Sequence, residues 1–236
     1  MSENIYTGSS SSTYISDFVF GGLDGTVTTF AVVSGVEGAS LSASIVLILG
    51  FANLLADGFS MAVGNYMSLK STHEYVQKAK RIEESHIDED PEKEKHEIRE
   101  IFREKGFKGK QLDEAVEIIT SDRKIWIDTM MKEELGIIEE QKSPLKGAVV
   151  TFFAFNMIGI IPLLAYLFSH FFDSINSQSF PISILLTSCA LFIVGSIKGK
   201  IVETNWIVSG AGTFFMGGAA AAIAYLVGHI LKGLAM

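Results

Sequence analysis

Apolar runs long enough to cross a bilayer bracket one long polar stretch in this chain. A bilayer core requires about 20 mostly apolar helical residues, and five segments approach or exceed that length, roughly 15–36, 42–68, 147–170, 181–197 and 206–231. The first keeps its place despite Asp17 and Asp24, because an odd number of spans fits the distribution of charge. Pro162 is placed to kink the third span. The fifth, GAGTFFMGGAAAAIAYLVG, is rich in small residues that let helix backbones approach, and reads as a packing surface.

Between the second and third spans, residues 70–146 change character. No Gly or Pro follows Gly64 for more than twenty residues, so the second span is expected to continue as a helix to about Ser85. Pro91 after Asp88 and Asp90 signals a new helix, and Gly106 its end. A third helical region is predicted over 111–135, re-capped at Ser121 or Asp122 and stopped by Gly136. Ile98, Ile101, Phe102, Leu112, Val116, Ile119, Trp126 and Ile127 recur on faces that could share a small core. The expected fold class is all-α: a five-span transmembrane bundle with a cytoplasmic three-helix domain inserted between spans two and three. The corresponding domains are a tail over 1–14, spans over 15–69, the inserted domain over 70–146, and spans over 147–236.

Charge sharpens this division. The insert holds 16 of the 19 Lys and Arg and 20 of the 27 Asp and Glu. Basic residues favour the cytoplasmic side near span ends, and Lys198 and Lys200 lie between spans four and five, whereas the connections 37–41 and 171–180 hold none. The N-terminus and the insert are therefore expected in the cytoplasm. A net charge of −8 excludes a nucleic-acid partner, since a phosphate backbone demands a cationic footprint. The single cysteine, Cys189, rules out a disulfide framework and reads as a small buried hydrophobe. MSENIYTGSSSSTY lacks the basic start of a cleavable signal, and its shortness favours a bacterial inner membrane over a vacuolar one.

Polar residues inside the spans carry the candidate chemistry. Asp17 and Asp24 stand seven residues apart on one helical face, with Thr28 a turn beyond. A carboxylate near the bilayer centre costs about 2.5–3.5 kcal/mol on insertion scales, so it normally faces a cavity, an ion path or a partner. In the second span Asn53, Asp57 and Met61 recur every four residues. Carboxylate, amide and thioether on one stripe suit a borderline-soft divalent cation, whereas magnesium and calcium favour oxygen alone.

Three further spacings lie in the insert. Glu83 and His86 form Glu-x-x-His, Glu94 and Glu97 form Glu-x-x-Glu, and Met130 and Met131 lie four and three residues before Glu134. Each set shares a helix face, as carboxylate-bridged metal sites in helical bundles require. A helix this rich in Glu and Lys also produces such spacings as solvated surface pairs. His73 and His96 read as surface residues.

DGTVTTFAVVSG in span one, GFSMAVGNYMS in span two and RKIWIDTMMKEELG before span three resemble the vacuolar iron transporter family, from about Asp17 to the C-terminus. The resemblance implies a five-span homodimer that moves iron(II), and often manganese(II), out of the cytosol in exchange for protons, with cobalt(II) or zinc(II) as further candidates. It implies that Asp24 and Met61 line the path, that Asp17 lies near the cytoplasmic entrance, and that Glu83, Glu94, Glu97, Met130, Met131 and Glu134 bind metal. His86 stands where plant-like members carry Glu. Asn53 also replaces a Glu, so the path is less charged or Asp57 takes over that role. A membrane-anchored di-iron ferroxidase or iron store is the alternative, and it lacks the second Glu-x-x-His such centres use. A sensor that gates the bundle is a third.

Overall fold

A computed structural model describes residues 14–138, 142–169, 171 and 178–234. The predicted tail, apart from Tyr14, and His170 at the predicted end of span three lie outside them. The described residues form helices and no strand. In chain order these are α1 (Ile15–Gly38), α2 (Ala43–Glu89), α3 (Pro91–Glu104), α4 (Gly109–Ser121), α5 (Arg123–Glu133), α6 (Pro144–Gly159), α7 (Ile161–Ser169), α8 (Ser179–Ile201) and α9 (Trp206–Leu231), with a final 3-10 turn over Lys232–Leu234. They divide into two compact units, one of residues 1–67 and 142–236 and one of residues 68–141, with α2 contributing to both.

In the first unit, α1, α2, α8 and α9 are each long and apolar enough to cross a membrane. The α6 and α7 helices together make a fifth candidate, bent by 44°. The bend falls where the sequence predicts a kink. Pro162 has no N–H to give back to the preceding turn; Leu163 N–H turns instead to Ile160 O at 2.9 Å, and the Ser183 hydroxyl of α8 donates to the Pro162 carbonyl at 2.6 Å.

The α1 helix lies at the centre of this unit, packed against α6, α8 and α9. Small residues make that possible. A side chain at Gly21 would meet the Thr151 carbonyl oxygen at 2.6 Å, and one at Gly25 would run into the Phe155 carbonyl, so only a hydrogen lets the α1 and α6 backbones touch there. Phe30, Val33 and Val36 of α1 build the core with Val46, Leu54, Phe155, Leu163 and Tyr166. The Tyr166 phenol, itself buried, donates to Glu37 Oε1 at 2.7 Å and fastens α7 to the end of α1.

The outward faces of this unit are apolar, with Ile48, Phe59, Phe153, Phe215 and Ile230 all exposed. Such a surface suits acyl chains, not water. Cys189 lies on that outward side, which corrects its reading as a buried residue: a span buries only part of its circumference against its neighbours, and a thiol is apolar enough for the remainder.

The second unit follows its punctuation. Asp90 caps α3, its carboxylate accepting the Lys93 N–H at 3.2 Å, and Pro91 occupies the first turn. Gly106 and Gly136 follow α3 and α5 with φ of +99° and +64°, a backbone that L side chains rarely adopt. The predicted third region is two helices, re-capped at Asp122 as expected: Asp122 turns extended and its carboxylate accepts the N–H groups of Lys124 and Ile125. Ile98, Leu112, Val116, Trp126 and Ile127 are buried together, joined by Ile101, Phe102 and Ile119. Val76, Ala79, Ile87, Met130 and Met131 complete the core.

Candidate metal sites

Two groups of ligand-bearing side chains meet in the 68–141 unit. Glu83, His86 and Glu94 bring one ligand atom each within 4.8 Å of one another, and so do Glu94, Glu97 and Glu134. Glu94 belongs to both, so five residues from α2, α3 and the end of α5 converge. The local reasons are simple. Glu83 and His86 are three apart on α2, and Glu94 and Glu97 are three apart on α3, one face each. The Asp90–Pro91 break turns α3 back, and Glu134 caps α5.

The electrostatics are those of acids packed against acids. Glu83 and Glu94 are 3% and 2% exposed, and in each the Oε2 atom is buried without a hydrogen-bond partner. Burial first, then the Glu94 charge, holds the Glu83 carboxyl above the ordinary glutamate range, against the opposing pull of His86 and Lys93. Glu134 is raised in the same way, by burial and then by Glu83, Glu97 and Glu94. Among the described residues one ammonium reaches the group: Lys93 Nζ lies 3.0 Å from Glu97 Oε1 and 3.5 Å from Glu94 Oε1. Carboxylate oxygens with one imidazole suit iron(II), manganese(II) and zinc(II).

Met130 and Met131 are buried in the apolar core of the unit. Met131 also lines a cavity of about 200 Å³ with Lys80, Asp128 and Lys132. His96 Nε2 lies 3.7 Å from Glu100, a partner that sequence reading did not foresee, and His73 is exposed.

In the other unit the acids of the spans are handled individually. Asp24 is half-buried and lines a cavity of about 370 Å³ together with Lys198, Ser209, Thr213 and Met216. Asp57 is half-buried and near enough to act on Asp24 electrostatically. The Thr28 hydroxyl is spent on the Asp24 backbone carbonyl at 2.8 Å. Asn53 is half-buried with its Nδ2 unpartnered, and Met61 packs against the apolar core.

Asp17 is the most enclosed of these acids. Asn65 donates to its Oδ1 at 3.0 Å and also to Thr151 Oγ1 at 2.8 Å, and Lys142 Nζ stands 2.9 Å from Oδ2, an ion pair set off the angle of a hydrogen bond. The two side chains are 8% and 12% exposed. The Lys142 ammonium also lies over the Tyr14 ring, and the Tyr14 hydroxyl accepts the Ser143 N–H. Sequence reading did not assign Asn65, Thr151 and Lys142 to Asp17, or Ser209, Thr213 and Met216 to Asp24. A polar residue recurring in an apolar span was the available signal.

Residues 15–229 match the VIT family. A vacuolar iron transporter of Toxoplasma gondii is 38% identical over 94% of this chain and 76% of its own length. That of Plasmodium falciparum is 33% identical over 91% and 81%, and vacuolar iron transporter 1 of Arabidopsis thaliana 31% identical over 92% and 86%. With nearly every described helix inside the matched region, the chain belongs to the VIT family.

Proposed function

We propose that this integral membrane protein is a transporter, not an enzyme, and that it carries iron(II), with manganese(II) as a second cargo, out of the cytosol in exchange for protons. The observation that carries the reading is the convergence of Glu83, His86, Glu94, Glu97 and Glu134 with two carboxylate oxygens buried and unpartnered. Desolvated acids stay charged only where a cation compensates them, and otherwise hold a proton. The names of the relatives supply the identity of that cation.

In this account the chain crosses the membrane five times, α6 and α7 forming one broken span, and works as a homodimer. The 68–141 unit, which holds most of the chain's Lys and Arg, and the N-terminus face the cytoplasm, following the distribution of those residues. The acid cluster binds the cation from dilute solution and raises its supply on that side. Within the membrane Asp24 takes the ion, with Asp57 supplying a second negative charge and Met61 a thioether from α2. On release Asp24 accepts a proton from the far side, which couples the two fluxes. Asp17 fastens α1, α2 and the start of α6 near the entrance. The ferroxidase alternative gains nothing from the structure, since His86 is the sole imidazole in the cluster. The named relatives are eukaryotic proteins called vacuolar, which lends no support to the expected bacterial inner membrane.

The test is metal uptake into proteoliposomes under an imposed pH gradient, with iron(II), manganese(II), cobalt(II) and zinc(II) compared. Uptake of iron(II) that collapses with the gradient is the expected result. Uptake indifferent to the gradient would remove proton exchange, and no uptake of any of the four metals would remove the transport reading.

A further inference from the structure

We propose that Lys93 is the tethered counter-ion of the acid cluster: its ammonium neutralises the Glu94 and Glu97 edge until a divalent cation displaces it, and this competition sets how tightly the cluster holds metal. The inference rests on the proposed role of the cluster in metal capture.

The geometry singles this lysine out. Its Nζ lies 3.0 Å from Glu97 and 3.5 Å from Glu94, two acids of the cluster. Among the described residues no other basic side chain forms an ion pair with Glu83, Glu94, Glu97 or Glu134. The neighbouring bases are engaged elsewhere: Arg99 with Asp113, Arg103 with Glu100, Lys105 with Glu133 and Arg123 with Asp88. The Lys93 backbone is fixed by the Asp90 cap, so its stem starts from a set point in the first turn of α3.

That position is a poor one for a lysine on helical grounds. The first turn carries the positive end of the helix dipole, which favours acids and disfavours cations. The cluster acids explain the placement where the helix does not. The side chain is 61% exposed, so the ammonium reaches the carboxylates from the solvent side on a flexible stem. An exposed pair of this kind is weak and screened, as a displaceable counter-ion must be. Glu94, 2% exposed, cannot follow it out into water. Once a divalent ion occupies the carboxylates, the ammonium is repelled and turns outward.

The test uses full-length protein in detergent and manganese(II) as the probe, with the free ion counted by its electron paramagnetic resonance signal. Lys93→Gln should tighten binding about three- to tenfold, the scale of one like charge a few ångströms from the ion in a half-exposed site. The gain should shrink as ionic strength rises. Lys93→Arg should bind like wild type, and so should Lys95→Gln, which removes a neighbouring charge that forms no ion pair among the described residues. Unchanged or weaker binding by Lys93→Gln, with Glu94→Gln abolishing binding, would overturn the counter-ion role and leave the capture reading standing. If Glu94→Gln bound manganese(II) as well as wild type, capture at this cluster would fall, and the role of Lys93 with it.

Discussion

The two compact units both remove carboxylates from water, and they treat them in opposite ways. In the membrane-type unit, Asp17 is matched by a cation that is as hidden as it is: Lys142, 12% exposed, with Asn65 donating to the other oxygen. In the 68–141 unit, acids are packed against acids, and buried oxygens of Glu83 and Glu94 have no partner. A closed ion pair is a fastening, because removing either member strands the other. A set of acids in excess of its one exposed lysine has the charge balance the proposed cation site requires. The contrast shows why burial of charge alone does not mark a site; the balance of charge does.

The largest effect that would break this contrast is on stability. Lys142→Gln leaves the Asp17 carboxylate buried without its cation and should cost about 3–5 kcal/mol, read as a fall in thermal unfolding temperature in detergent. Asp17→Asn added to it should recover most of the loss. A Lys142→Gln protein as stable as wild type would show that the pair is not a fastening.

Next is Glu94→Gln, which removes the side chain shared by both ligand groups. It should weaken manganese(II) binding at least about tenfold, the lower end of what outer partners of metal ligands cost when lost, while its metal-free stability holds or rises. The same variant should not lower the unfolding temperature as Lys142→Gln does. A variant that lost stability and kept its metal affinity would make Glu94 structural, like Asp17.

A smaller effect concerns packing. Gly25→Ala forces a methyl group into the Phe155 carbonyl and should destabilise by about 1–3 kcal/mol through overpacking, with manganese(II) affinity unchanged. Melting curves and the binding assay together check it.

The smallest is the pH response of the metal-free protein. Glu83 and Glu134 are raised above the ordinary glutamate range, so the folded chain holds their protons more firmly than the unfolded chain. Their contribution to stability is full below the ordinary glutamate value and is lost as pH rises through the raised values. Unfolding followed by fluorescence of Trp126, which is buried in the same unit, should show this decline, and Glu83→Gln should flatten it. A stability that instead climbed through that window would reverse the sign assigned to these acids. Manganese(II) affinity should rise across the same interval as protons leave.

Much of this was legible in the sequence wherever a local rule governs. Long apolar runs gave the candidate spans, Pro162 the bend, and Asp90–Pro91, Gly106 and Gly136 the ends of α3 and α5. The spacings of Glu83 with His86 and Glu94 with Glu97 announced faces that the fold brings together. Contacts between distant segments were not legible. Asn65 reaches Asp17 across 48 positions and Lys142 reaches it across 125, and no periodicity encodes such a meeting. Met130 and Met131 show the reverse difficulty: a thioether is both a soft ligand and a good core residue, and neither spacing nor burial in the core of the unit separates the two roles. Met216 was missed because the small residues of its helix drew the reading toward packing, although it lines the cavity that holds Asp24.

The transport step proposed above passes the ion along Asp24. The direct measurement is iron(II) uptake by Asp24→Asn protein in proteoliposomes under an imposed pH gradient, beside manganese(II) binding by the same protein in detergent. The account predicts that uptake is abolished while binding at the acid cluster persists. Uptake at the wild-type rate would contradict it.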